Sequence, residues 1–327
     1  MRRMLSRMTR TVSLPRLVVG YTAVAAALPY FALKLAWLSG APIGVEPSLL
    51  HSPGLVPLNV LTAGMDLVAV LVALTFTHSF GLRVPAWLVA LPMWVGSGLL
   101  APIAVVAPFA ALAALISGQT PVSADGPVRP WVYAMVYTGF VVEGLALITA
   151  FVLYARTRWP ALFGTQVGDA PPGATHGLQK VFASGVAVLA AFVGTAHLAW
   201  ALGSGWGLPA RIVTGRTAST AALVDGSFGI LAFAAVAGLL MIVRRWGARV
   251  PFWVPLALVW LGTGSMFGWG MWALVTTLSG SVLSAGPDMA VAQLIALGKV
   301  LAGVILATVA AFALAERSAT IGACGHS

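Results

Sequence analysis

Eight apolar stretches dominate the sequence, each about 20 residues or longer, the length at which a helix crosses ~30 Å of hydrocarbon. They read as Leu17 to Leu38, Val56 to His78, Val84 to Ile116, Trp131 to Arg156, Val181 to Leu202, Ala221 to Val243, Val250 to Leu278 and Met289 to Ala315. In lipid every backbone N–H and C=O must find its partner inside the chain, so such segments fold as helices. The expected class is therefore an all-α integral membrane protein with eight transmembrane helices. The third and seventh stretches exceed one crossing, and the third contains Pro92, Pro102 and Pro108, so a kinked span followed by an interfacial turn is expected there. Only 8% of residues are charged, against about 25% in soluble domains, which excludes a water-solvated globule. The single cysteine, Cys324, excludes an internal disulfide framework.

The formal charge of +10 suggests nucleic acid until the charges are placed. Arg2, Arg3, Arg7, Arg10, Arg16, Arg83, Arg156, Arg158, Lys180, Arg244, Arg245, Arg249 and Arg317 fall on one face of an eight-span topology, and Arg129, Arg211 and Arg216 on the other. Basic loops stay cytoplasmic, so both termini are expected inside the cell (inner) membrane, with lipid and not nucleic acid as the surrounding partner. The first span is expected to remain uncleaved: it is long, ends in Lys34 and Trp37, and lacks a small-residue cleavage site. Pro15, Arg16 and the basic arm before them fit attraction to anionic lipid.

Self-comparison exposes a second layer of organisation. Leu35-Ala-Trp-Leu-Ser-Gly40 matches Leu198-Ala-Trp-Ala-Leu-Gly203 at an offset of 163. Val84-Pro-Ala-Trp87 matches Val250-Pro-Phe-Trp253, and Trp94-Val-Gly-Ser-Gly98 matches Trp260-Leu-Gly-Thr-Gly264, both at 166. Two like-oriented four-helix repeats are expected, 1–165 and 166–327, related by an axis along the membrane normal and joined by the polar loop Gly164 to Gln179. Gly96, Gly98, Gly262 and Gly264 are expected to allow close helix approach. The stretch His197 to Gly203, followed by Trp206-Gly207, resembles a family of small uncharacterised bacterial four-helix membrane proteins. That resemblance implies a doubled version of the family's unit, in which Lys34 replaces the histidine of the first copy, and it implies no known activity.

A charge at bilayer depth costs about 2.5–3.5 kcal/mol, so each needs a partner, a cavity or a task. Lys34, Asp66, Glu143, His197, Asp225 and Lys299 meet this description. Counted from helix ends, Lys34, His197 and Asp225 lie roughly 6–8 Å below the outer boundary, and Asp66, Glu143 and Lys299 about 12–16 Å below it. At the repeat offsets His197 answers to Lys34 and Asp225 to Asn59, so the outer site reads His/Asp in one copy and Lys/Asn in the other. Glu143 and Lys299 occupy the fourth and eighth helices and are expected to pair. Asp66 has no symmetric counterpart on this reading and ranks first as a functional carboxylate. The six groups sum to minus one, or to zero with His197 protonated. Plain structural roles compete: Lys34 snorkelling beside Trp37, His197 as an interfacial hydrogen-bonding residue, Asp225 capping the sixth helix, and Glu143 with Lys299 as a buried structural pair.

Prenyl-diphosphate, Walker, nucleophile-elbow and zinc-protease signatures are absent, and so are metal and cofactor motifs. His78 and His197 sit near opposite faces and do not suit haem, while Cys324 and His326 form only a weak metal pair. The outer loop from Gly40 to Gly54 is expected to have little regular structure. The favoured expectation is a protein that binds or moves a small organic molecule through a polar, outward-facing cavity between the repeats, coupled to protons through Asp66, Glu143 and His197. Two alternatives stand beside it. One is a membrane-embedded, cyclase-like enzyme using the same three residues as acid or base on a lipid or isoprenoid; the other is an accessory subunit.

Overall fold

The computed structural model describes residues 13–52, 54–118, 126–170, 172–209, 212–213, 218–278 and 289–324, with 218–219 and 320–324 by backbone alone. Arg2, Arg3, Arg7, Arg10, Arg211, Arg216 and His326 lie outside the described residues. Those described form an all-helical protein without strands, and eight of its helices are long and apolar enough to cross a membrane. They are α1 Leu14–Leu38, α2 Leu55–Thr77, α3 Ala86–Ser117, α4 Pro130–Arg158, α5 His176–Ala201, α6 Ala218–Arg244, α7 Trp253–Leu278 and α8 Ala290–Cys324. The chain is thus a multi-pass membrane protein. Two expected boundaries move outward: α5 starts at His176 and α8 continues to Cys324, because polar first and last turns extend a helix beyond its apolar span. The turn expected inside the third stretch is absent, and α3 runs unbroken through its three prolines.

Local chemistry explains the ends. Prolines open α1 and α4, where a missing N–H costs nothing. Gly40 ends α1 at φ +86° and Gly203 ends α5 at φ +93°. Around them the Gly40 and Ala41 N–H groups donate to the Trp37 and Ala36 carbonyls, and the Gly203 and Ser204 N–H groups to those of Trp200 and Ala199. This is the same Schellman closure twice, 163 residues apart. The loop after α1 is more ordered than its composition suggests: Pro47–Leu50 form one helical turn, and Glu46 N–H and Arg129 N–H bond to the Pro127 and Gly44 carbonyls.

By their internal contacts the helices fall into two compact units. The first holds α1, α2, α4 and the start of α3 as far as Met93. In it α1 packs against both α2 and α4. Arg16 is buried, and its guanidinium donates twice to the Phe76 carbonyl near the end of α2, at 3.1 and 2.5 Å. It therefore serves as a helix cap instead of reaching for lipid headgroups as expected. The second unit holds α3 from Trp94 onward and α5 to α8, with α6 packed on α5 and α7, and α8 on α5 and α7. Its core is built largely of Ala and Val, such as Ala183, Ala190, Val193, Ala235 and Ala302, with Leu239 and Leu306. Small side chains let backbones approach closely where burial from water is no driving force. In keeping with a lipid exterior, the most apolar span, α3 at mean hydropathy 2.5, is the least buried, at 11% of its apolar window.

Candidate functional site: two intramembrane charge clusters

In the first unit the Lys34 ammonium, one turn before the end of α1, donates to Asp66 Oδ2 on α2 at 2.8 Å. Lys34 is 1% exposed. Its Nζ also lies 3.8 Å from the centroid of the Tyr30 ring, one turn back along the same helix. Lys34 is therefore paired inside the protein and does not snorkel outward. Glu143 on α4 is buried as well and lies within Coulombic reach of both partners. Among the described residues its carboxylate accepts no hydrogen bond. A cation, an anion paired with it, and a second carboxylate without a donor thus share one buried neighbourhood, which carries a net charge of minus one when all are ionised.

In the second unit His197 Nδ1 on α5 lies 2.8 Å from Asp225 Oδ1 on α6. An ionised carboxylate only accepts, so Nδ1 carries the proton of this contact. The imidazole is packed edge-on against Trp200 and Phe228. Lys299 on α8 is buried, with Nζ 3.9 Å from the Phe228 ring centroid and Asp225 within Coulombic reach. Asp225 lies seven residues inside the described α6, too far along to be its cap.

The same arrangement appears in both units: a base on α1 or α5, an acid on α2 or α6, and a further ionisable group on α4 or α8. Arg16, Gly20, Ala23, Ala27 and Lys34 are buried on α1, and Gln179, Ala183, Val186, Ala190 and His197, each 163 residues later, on α5. In both, the residue three before the helix-ending turn is a Trp whose indole N–H ties down the following loop. Trp37 donates to the Ile43 carbonyl and Trp200 to that of Trp206, each at 2.8 Å. The spacing Lys34-x-x-Trp37-x-x-Gly40 and His197-x-x-Trp200-x-x-Gly203 therefore encodes a buried base, a loop tether and a left-handed stop.

Two expectations about this geometry change. The residue that meets the first-helix base is Asp66, not Asn59, so Asp225 answers structurally to Asp66. Asn59 is buried two turns away on α2. Lys34 and Asp66 also lie level, although counting from helix ends separated them. The count assumed that all helices end in one plane, whereas Lys34 is four residues from the end of α1 and Asp66 eleven from the start of α2. Glu143 and Lys299 each sit beside the acid–base pair of their own unit.

A further relationship was only half visible in the sequence. Within the second unit Trp94 Nε1 on α3 donates to Thr263 Oγ1 on α7 at 2.9 Å, and Trp260 Nε1 on α7 donates to Ser97 Oγ on α3 at 3.0 Å. A methyl group at Gly98 would overlap the Gly264 carbonyl, and one at Gly264 the Trp94 carbonyl. At the same crossing Trp269 Nε1 donates to the Leu99 carbonyl at 3.2 Å. The two copies of the Trp-x-Gly-Ser/Thr-Gly motif thus clasp each other reciprocally.

The comparisons with known proteins decide nothing further. No family model matches the chain, and neither a curated protein nor a solved structure does. Among the described residues no group of His, Cys, Asp and Glu is placed to hold a metal ion.

Proposed function

We propose that this is a proton-coupled carrier of a small organic molecule, built by tandem duplication of a four-helix membrane unit, with both ends cytoplasmic in the cell membrane. The observation that carries the reading is Glu143, a buried carboxylate beside the Lys34–Asp66 pair that accepts no hydrogen bond from any described residue. An ionised carboxylate at that depth costs several kcal/mol unless something neutralises it. A proton does so, and so does a cationic group on a ligand, which makes the two competitors for one position. Competition of this kind is what couples ion movement to substrate movement. Duplication is supported by the closures, tethers and buried registers repeated at 163 and by the reciprocal motif contact.

The direct experiment is flux in proteoliposomes with an imposed pH gradient, surveying organic amines. Wild-type protein should move protons with one of them, and Glu143→Gln should remain folded and lose the proton movement. Undiminished coupling in Glu143→Gln overturns the reading. One observation favours the enzyme reading instead. A groove formed by Thr22, Ala25, Ala26 and Pro29 of α1 with Ala134, Met135, Thr138, Gly139 and Val142 of α4 ends one residue from Glu143, and its apolar lining suits a hydrocarbon chain. Conversion of a polyene by membranes containing the protein, lost in Glu143→Gln, would distinguish it from transport.

A further inference from the structure

Where α5 begins, α6 ends and α8 nears its end, the second unit carries a small, half-open pocket of about 50 Å³, lined in part by His176, Gln179, Arg245, Phe252, Glu316 and Arg317. Because all three helices cross the membrane, this pocket lies at one membrane surface, at the level of lipid headgroups.

Accounting for its polar groups shows which are spent. Arg317 donates to the Gln166 and Val167 carbonyls at 2.6 and 3.2 Å and lies over the Phe252 ring. Glu316 accepts from the Thr175 N–H, the Thr175 hydroxyl and the Gln179 amide at 2.7–3.0 Å. Asp169 accepts from the Gln166 N–H at 2.7 Å. Both carboxylates are thus occupied in holding the loop before α5. Arg245 differs, because it gives one N–H to the Gly168 carbonyl at 2.7 Å and a guanidinium has five. It is also the one described non-glycine residue with positive φ, at 59°, a conformation that a long side chain adopts only when its surroundings hold it there. Lys180, Arg245 and Arg317 face two carboxylates, Asp169 and Glu316, while burial and the neighbouring Lys180 and Arg245 hold the His176 imidazole below its usual range and so favour its neutral form.

We propose that this pocket binds a phosphate-bearing anion through the spare N–H groups of Arg245, with the fixed positive charge of Arg317 beside it. The ligand is the headgroup of an anionic lipid or a soluble phosphate ester. Guanidinium forks match phosphate oxygens two at a time, and basic pockets at helix ends recognise such headgroups. The inference is independent of the carrier reading.

The test uses the full chain in detergent micelles, as wild type, Arg245→Gly and Arg249→Gln. Glycine adopts φ near +60° without cost, so the first variant keeps its fold; Arg249 is exposed and lies outside the pocket lining. Native mass spectrometry with phosphatidylglycerol, and with diacylglycerol of the same chains, should show a phosphatidylglycerol adduct that weakens by about tenfold or more in Arg245→Gly. The adduct should persist in Arg249→Gln and have no diacylglycerol counterpart. If millimolar inorganic phosphate raises the thermal midpoint of wild type but not of Arg245→Gly, while lipid adducts are equal, the ligand is a soluble phosphate. Equal lipid and phosphate binding by wild type and Arg245→Gly overturns the proposal.

Discussion

His197 Nδ1 and Asp225 Oδ1 stand 2.8 Å apart across α5 and α6, the same separation that joins Lys34 Nζ to Asp66 Oδ2 across α1 and α2. The acid is constant and the base varies, so each carboxylate is the acceptor around which its unit is built. Removing a base strands a buried anion, whereas removing both partners does not.

Lys34→Met should therefore lower stability by about 3–5 kcal/mol, and Lys34→Met with Asp66→Leu should recover most of that loss. Lys34→His should be the mildest single change, because an imidazole already fills this role in the second unit. Unfolding of the purified variants in mixed micelles measures all three. Additive single and double losses would show that the pair is not the interaction lost.

Glu143→Gln should leave stability unchanged or raise it. The carboxylate accepts no hydrogen bond from the described residues, and an amide of the same shape avoids placing a charge in a buried site. A fall of about 2 kcal/mol or more in the same unfolding assay would mark Glu143 as a structural partner, since that is the cost of breaking a satisfied buried polar contact.

The reciprocal motif contact predicts opposite results at two neighbouring glycines. Gly96→Ala meets nothing within 4 Å and should be silent, whereas Gly98→Ala drives its methyl into the Gly264 backbone. The latter should cost about 1–3 kcal/mol or more, because backbone cannot swing aside as a side chain can. Thermal unfolding of the two variants side by side provides the comparison.

At the helix-ending turns, Gly203→Ala pays for backbone conformation alone, about 1 kcal/mol, because its surroundings are open. Gly207→Ala carries the same kind of cost at φ +68° and adds an overlap with Val291 at the start of α8. Its loss should be clearly the larger in the same assay. Equal losses would mean that the contact with α8 relaxes freely.

What could be read from the residues was whatever depends on local periodicity and solvent. Eight spans followed from apolar length, because hydrocarbon leaves a backbone no alternative to the helix. The unusual intramembrane residues Lys34, Asp66, Glu143, His197, Asp225 and Lys299 were visible for the same reason, since a charge is conspicuous in an apolar run. The Trp-x-x-Gly endings and the Trp-x-Gly-Ser/Thr-Gly repeats were legible as patterns but not as a Schellman turn or a clasp. Arg245 gave no local signal at all: its left-handed backbone and its place in a pocket depend on the loop packed against it.

Tertiary structure decided which groups meet. Asp66 and Asn59 lie on one face of α2 two turns apart, and only the height at which α1 packs against α2 selects Asp66 as the partner of Lys34. That height is set by side-chain interlock along the whole helix pair and not by any short motif. Likewise Arg16 looked like a membrane anchor until the end of α2 came to rest against it and claimed its guanidinium. Length and polarity are properties of a segment and survive in one dimension. Register between segments is a property of packing, and it comes into being only when the helices touch.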